Sequence, residues 1–192
     1  MEDICKKYIE SVVDDKKDWY AIRLFTTKIE EVEQFFRRRG LETFVPKQYI
    51  AKEDKHGRVH NRLKPVVRNL IFVKKDMDDA SFKKLIYEAD IKMSVYVKPD
   101  DSTEYYAIPH KQMYEFRLMC NPELELRKFI PTEEARMKAG DEVFVRFGPL
   151  RGMTGRLVRS SRKYYLLKEI PDISIMLKVS RWCCVPVSEK PE

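Results

Sequence analysis

Apolar positions along the chain change their period several times, and each change marks an element. Trp19 to Thr26 (WYAIRLFT) is dense in aromatic and β-branched residues and reads as a strand. Thr27 then opens a helix. Glu30 follows it at capping-box spacing, Ile29, Val32, Phe35 and Phe36 recur at helical spacing, and Gly40 supplies the stop. Glu42 to Lys52 resumes as strand, Lys55 to Arg58 (KHGR) reverses the chain, and Val66 to Lys74 returns as another strand. Asp78 or Asp79 is placed to cap a second helix with Phe82, Leu85 and Ile86 on one face, and Met93 to Lys98 follows as strand. This order of strand, helix, strand, strand, helix, strand is the split β-α-β plan of an α+β domain with a mostly antiparallel sheet.

Alternation along the first strand sets Trp19 and Phe25 opposite Tyr20, Ile22 and Leu24, so the sheet is apolar on both faces and needs cover on both. Pro109 begins a third helical stretch to about Cys120, with Met113, Phe116, Arg117 and Cys120 on one face. Ahead of all this, Ile4, Tyr8 and Val12 predict a short amphipathic helix in an N-terminal tail, residues 1–18. Residues 122–138 hold two prolines, balanced charge and little periodicity, which reads as a linker between a domain at 19–121 and a second at 139–188. The second domain reads as a small all-β barrel with strands at Glu142–Phe147, Met153–Arg159, Tyr164–Ile170, Ile173–Val179 and Trp182–Val187.

Charge adds a partner class. The 192 residues carry 38 Lys and Arg against 31 Asp and Glu, a net +7, and 43% are hydrophobic, which excludes a wholly disordered chain. The excess is local. Lys47 to Lys75 holds nine basic residues against Glu53 and Asp54, and Arg146 to Lys163 holds six with no acid. Such clusters suit nucleic acid through counter-ion release, although the same charges also solubilise an exposed hairpin. No apolar run approaches the roughly 18 residues of a membrane span, and the first 18 residues have four basic and six acidic side chains without an apolar core. The expected location is the cytoplasm.

Reactive chemistry is sparse. Cys5, Cys120, Cys183 and Cys184 form no C-x-x-C pair and read as free thiols, and His56 and His60 have no third ligand of suitable type nearby, so no metal is expected. With three scattered histidines, no G-x-S-x-G and no phosphate loop before a helix, neither catalysis nor a cofactor is expected.

The glycines are unevenly spread. Four of the six, Gly140, Gly148, Gly152 and Gly155, lie in AGDEVFVRFGPLRGMTGRLV. Gly152 permits positive φ, and Gly155 lets the next strand start without a Cβ clash. The segment resembles a KOW motif at Gly140-Asp141, Val143, Val145, Gly148-Pro149, Gly152, Gly155 and Val158. The N-terminal block, from WYAIRLFT through ETFVPKQYIAK to VVRNLIFVKKDMDDASFKKLI, resembles the N-terminal domain of the NusG family in order and residue type. Trp19-Tyr20, Phe44-Val45-Pro46 and Asp79-Ala80-Ser81-Phe82 carry the match. The two resemblances cover about 80% of the chain.

The chain departs from the family at two places. Val67-Arg68-Asn69-Leu70 stands where NusG has an aromatic-Pro-Gly-Tyr turn, and Arg23 stands where the antiterminator RfaH has Tyr. These changes point to a specialised paralogue of the UpxY or RfaH type. The resemblance implies a monomeric elongation or antitermination factor whose N-terminal domain binds the clamp helices of RNA polymerase, with Arg23, Phe25, Val67, Leu70 and Tyr96 as contacts. It implies upstream or non-template DNA beside Lys52, Lys55, Arg58, Arg62, Lys64, Lys83 and Lys84. The KOW barrel would recruit the ribosomal protein NusE, Rho or RNA. In RfaH that domain can be helical, but Tyr164 to Leu167 and Ile173 to Val179 favour strand here. A KOW-containing RNA-binding or ribosome-associated protein is the alternative.

Overall fold

The computed structural model describes residues 2–124, 126–148 and 150–189. Helix α1 (Glu2–Ser11) opens the chain, followed by β1 (Trp19–Leu24), α2 (Ile29–Arg37), β2 (Thr43–Phe44), β3 (Lys47–Glu53), β4 (Val59–Pro65), β5 (Leu70–Lys74) and α3 (Asp79–Tyr87). Short strands β6 (Met93–Val95), β7 (Val97–Lys98), β8 (Asp101–Tyr105) and β9 (Ala107–Ile108) lead into α4 (His110–Met119). Beyond it come β10 (Arg127–Ile130), α5 (Thr132–Arg136), β11 (Gly140–Val145), β12 (Thr154–Ser160), β13 (Lys163–Ile170), β14 (Ile173–Val179) and β15 (Cys184–Pro186). The chain forms two compact units: Val13–Met113, and α1 together with the residues from Tyr114 onward. The division falls inside α4.

In the first unit the main sheet has the order β2-β5-β1-β6, with β9 also on β1, and every pairing is antiparallel. The alternation of β1 explains its central place. Tyr20, Ile22 and Leu24 join Ile71 and Val73 in a core with Ile29, Val32 and Phe36 of α2 and Phe82 of α3. The Tyr20 ring stacks on Phe82 at 4.5 Å, and its hydroxyl donates to Asp79 in the first turn of α3. Fully burying a side chain of this size contributes about 1.5–3 kcal/mol. Trp19, Ala21, Leu70 and Phe72 on the opposite face are buried too, so both faces are covered as the alternation requires.

Local differences from the sequence expectation have local causes. The cap of α2 is Lys28 with no side-chain cap bond; Thr26, rather than Thr27, supplies the hydroxyl, accepting from the Lys28 N–H at 3.2 Å. The strand expected over Glu42 to Lys52 is broken at Val45-Pro46, because Pro46 has no N–H to continue a ladder. As a result β2 pairs with β5 while β3 leaves to pair with β4. Residues 66–69 form a turn, so the next strand begins at Leu70. Asp78 caps α3 as expected, its carboxylate accepting from the Ser81 N–H at 2.9 Å.

The second unit is built on a six-stranded antiparallel sheet of order β10-β14-β13-β12-β11-β15. Ile130, Ala135, Val158, Tyr165, Leu167 and Met176 form its core. Ser161 and Arg162 both have positive φ, 49° and 63°, which matches a two-residue hairpin turn between β12 and β13. Gly152 has φ +92°, and a Cβ on Gly155 would meet the Leu167 carbonyl oxygen at 2.7 Å, so both glycines are required for the reasons their spacing suggested. The stretch 122–138, read as a linker, carries β10 and α5 instead. β10 pairs with β14, and its lack of periodicity reflects an edge strand too short to show any. Trp182, expected in a strand, sits in a single 3-10 turn, Arg181–Cys183, ahead of β15. Among the described residues no helix is long and apolar enough to cross a membrane.

Candidate polymerase and nucleic-acid interface

The basic stretch folds into a hairpin of two faces. β3 and β4 pair from Lys47 opposite Pro65 to Glu53 opposite Val59. Side chains alternate along a strand, and directly opposed residues share a face. The pairs Gln48–Lys64, Ile50–Arg62 and Lys52–His60 therefore lie on one face, and Tyr49–Leu63 with Val59 on the other. The first face groups Lys52, Arg62 and Lys64 around Ile50, and the second mixes Tyr49, Val59 and Leu63 with Lys47, Glu53 and Asn61. Tyr49, Val59 and Leu63 are all exposed. Of the expected DNA contacts, Lys52, Arg62 and Lys64 thus share a surface, while Lys55 and Arg58 occupy the connecting turn.

One carboxylate organises that turn. Asp54 Oδ1 accepts from the backbone N–H groups of His56 at 2.8 Å and Arg58 at 2.9 Å, and Oδ2 lies 3.1 Å from His60 Nε2. The Arg58 and His56 N–H groups, then His60, hold the Asp54 carboxyl below its usual range. Gly57 at φ +76° closes the reversal. At the foot of the hairpin a cavity of about 480 Å³ has mixed charge, lined by Lys28, Glu30, Glu33, Lys47, Lys64 and Arg68 among others. In the sequence Asp54 counts only as one of two acids in the basic stretch; the signal for its turn role is its Asx-type position just ahead of KHGR.

The five polymerase-contact candidates divide. Arg23 is the exposed residue of β1, donates to the Tyr96 hydroxyl at 2.6 Å, and lies over the Tyr96 ring at 5.3 Å. The Tyr96 N–H bonds to the Ala21 carbonyl, which places Tyr96 beside β1 on the Arg23 face. Phe25 is 68% exposed just beyond the end of β1. Val67 is half-buried in the β4–β5 turn, whose Asn69 carbonyl accepts from the Leu24 N–H at 2.8 Å. Leu70 departs from the expectation. It is 1% exposed even though it pairs opposite the exposed Arg23 on the same face of the sheet.

The two lysines of α3 are engaged locally. Lys83 donates to the Thr103 carbonyl at 2.5 Å and lies over the Tyr105 ring, and Lys84 pairs with Glu88 one turn on at 3.9 Å. They stand on a different element from the hairpin cations.

In the second unit, the basic run from Arg146 to Lys163 is not one patch. Arg156 points inward, bonded to Glu169 and to the Ala135 carbonyl. Arg146 and Arg151 flank the β11–β12 turn, whereas Arg159, Arg162 and Lys163 surround the β12–β13 turn. Gly140 and Asp141 begin β11, Gly148 lies in the turn after it, and Pro149 falls outside the described residues. An exposed aromatic pair went unnoticed in the sequence: Phe147 and Trp182, with ring centroids 6.0 Å apart, are brought together by residues far apart in the chain.

No curated protein matches the chain. A family of sequences described as "Transcription termination factor nusG" matches residues 17–117, from just ahead of β1 into α4. That span holds the antiparallel sheet, the two-faced hairpin and the Arg23–Tyr96 contact, and it is more than half of the chain. The chain belongs to the NusG family.

Proposed function

We propose that this protein is a transcription elongation and antitermination factor. Its first unit binds the clamp helices of RNA polymerase, and its second, read as a KOW domain of SH3-like barrel type, recruits another partner. The observation that carries the reading is the grouping of Lys52, Arg62 and Lys64 on one face of the exposed hairpin, with the exposed Tyr49, Val59 and Leu63 on the other. A ribbon whose one face presents three cations can run along a phosphodiester backbone on that side while its aromatic and aliphatic side chains on the other contact protein.

The mechanism is a population shift. A factor that binds one polymerase state more tightly than its pause-prone alternatives raises the occupancy of that state by its differential affinity. Arg23, Tyr96 and Phe25 supply the protein contact, and the hairpin supplies the contact to upstream or non-template DNA. The changes at Arg23 and at Val67-Arg68-Asn69-Leu70 support a specialised paralogue of the UpxY or RfaH type, acting in the cytoplasm as a monomeric binding protein without catalysis. NusE or Rho is the protein partner expected for the second unit.

Capture of core RNA polymerase by the full chain, followed by a pausing assay with the same polymerase, tests the proposal. Retention of polymerase and a changed pause lifetime are expected. Absence of polymerase binding sinks it and favours the alternative, an RNA-binding or ribosome-associated protein.

A further inference from the structure

An open sheet edge presents a row of N–H and C=O groups ready to template another strand, and chains protect such edges with proline, bulges or like charges. The hairpin has two such edges. β3 and β4 form a sheet of their own, and among the described residues no other strand lies along either side. The Asp54 N–H bonds to the Arg58 carbonyl at the tip and the Val66 N–H to the Pro46 carbonyl at the foot, both at 2.9 Å. Bonded and non-bonded pairs alternate along an antiparallel ladder, so Gln48–Lys64, Ile50–Arg62 and Lys52–His60 exchange the hairpin's own bonds. The backbone groups of Lys47, Tyr49, Ala51 and Glu53 therefore point outward from β3, and those of Val59, Asn61, Leu63 and Pro65 outward from β4.

The two edges are not alike. Pro65 has no N–H to offer, and two β4 strands paired antiparallel about Arg62 would set Arg62 against Arg62. β3 carries neither device. Two β3 strands paired antiparallel about Ile50 set Lys47 opposite Glu53, Gln48 opposite Lys52 and Tyr49 opposite Ala51, with Ile50 facing its own copy on the twofold axis. Opposite charges meet at both ends, a large ring meets a small side chain, and no like charges are opposed. The outward-facing residues of one strand meet the outward-facing residues of the other, so the same register also satisfies the backbone. Tyr49 is 48% exposed and Ile50 40%, and Ala51, Lys52 and Glu53 are exposed as well. At the foot Lys47 lies 4.0 Å from Glu33, and an ammonium with three donors can reach a second carboxylate.

We propose that two copies of this chain associate through β3, edge to edge and antiparallel, into a four-stranded ribbon of order β4-β3-β3-β4. Such a contact is isologous. It uses the permissive edge of each copy once and leaves the proline-bearing edges outside, so assembly stops at the dimer. Antiparallel pairing sets the foot of each hairpin beside the tip of the other, about 20 Å from its own foot, which keeps the two bodies apart. Lys52, Arg62 and Lys64 of both copies come to lie on one continuous face. A strand of another protein can also add to an open edge, but the self-complementarity of KQYIAKE about Ile50 selects a second copy. This association belongs to the chain free of polymerase and needs only the hairpin, whether or not the transcription reading holds.

Sedimentation equilibrium of the full chain from about 5 µM to about 1 mM covers the weak range suited to an interface well under roughly 1,200 Å². A reversible monomer–dimer equilibrium with no larger species is expected. Ala51→Pro removes an N–H that β4 does not use, so it leaves the hairpin paired and is expected to abolish the dimer. Glu53→Lys and Lys47→Glu are each expected to weaken it by about threefold to thirtyfold, since symmetry breaks the contact at both ends, and K47E/E53K is expected to restore it. Ile50→Cys reads the register, because non-bonded pairs hold their Cα atoms about 4.5 Å apart. Mild oxidation should join position 50 of one copy to position 50 of the other, seen by mass spectrometry, whereas Gln48→Cys should not join to itself. A chain that stays monomeric throughout leaves the edge to another protein's strand and overturns the proposal. A dimer untouched by Ala51→Pro, or charge variants that the double exchange does not rescue, would overturn it equally.

Discussion

The Arg23 guanidinium and the Tyr96 ring form one surface unit: a 2.6 Å hydrogen bond to the hydroxyl, with the cation 5.3 Å from the ring centroid. Both groups are accessible, so in the isolated chain this contact contributes only about 0.5–1 kcal/mol. Desolvated against a partner, a preorganised Arg–Tyr pair has the character of an interface hot spot, where truncation costs about 2 kcal/mol or more. Arg23→Ala is therefore expected to weaken binding to polymerase by about thirtyfold and to leave the melting temperature nearly unchanged. Tyr96→Phe, which removes only the hydroxyl, is expected to cost less. Equal affinity of Arg23→Ala and the parent for core polymerase would remove this pair from the contact surface.

The hairpin makes a prediction about faces. Replacing Lys52, Arg62 and Lys64 with Ala removes three cations from one face, and the slope of log affinity against log salt for elongation complexes should fall by about 2.7 if all three meet duplex phosphates. Tyr49→Ala, on the opposite face, should lower affinity without changing that slope. Lys55, Arg58 and Arg62 replaced together should give an intermediate loss, since two of them lie in the turn. A salt series in which the three-cation variant parallels the parent would retire the DNA contact.

How far these features were legible varies with the range of the interaction behind them. The order of strands and helices in the first unit follows from apolar period and capping residues, both local, whereas the need for Gly155 comes from the neighbouring strand, whose Leu167 carbonyl its Cβ would strike. Leu70, one of the contact candidates, is buried, and its sequence pattern carries no sign of this because a strand whose first four residues are all apolar does not tell which side chains reach the surface. Segment 122–138 concealed β10, since an edge strand of four residues is defined by its partner β14 rather than by its own pattern. Phe147 and Trp182 lie 35 residues apart in sequence, and only pairing of β11 with β15 brings them together.

Asp54 ties hairpin geometry to pH. Its carboxyl is held below the ordinary value of 3.8, first by the Arg58 and His56 N–H groups and then by His60. A carboxyl with a depressed folded-state pKa stabilises the fold above its unfolded pKa, and that contribution disappears as pH falls through the folded value. The turn should thus be intact at neutral pH and loosen only below 3.8. An NMR titration is expected to place the Asp54 midpoint below that value, and Asp54→Ala should accelerate amide exchange at His56 and Arg58 at neutral pH. A midpoint at or above 3.8 would contradict the turn geometry.

Within the second unit, Lys168 donates to Glu115 of α4 and to the Thr154 carbonyl at 3.0 Å, and the Glu115 carboxylate also accepts from the Thr154 N–H at 3.2 Å. The side chains are 4% and 12% exposed for Glu115 and Lys168, so the pair sits largely out of water. Removing one partner of such a pair strands the other charge, which costs about 3–5 kcal/mol, whereas replacing both with apolar residues of similar volume is often close to neutral. Lys168→Ala should therefore lower stability far more than the double variant Glu115→Leu with Lys168→Met. Glu115→Gln should fall between them, because its amide oxygen can still accept from the Thr154 N–H. Denaturant midpoints of the four proteins decide the matter: if Lys168→Ala costs no more than an exposed ion pair, about 1 kcal/mol or less, this contact does not hold α4 to the sheet of the second unit.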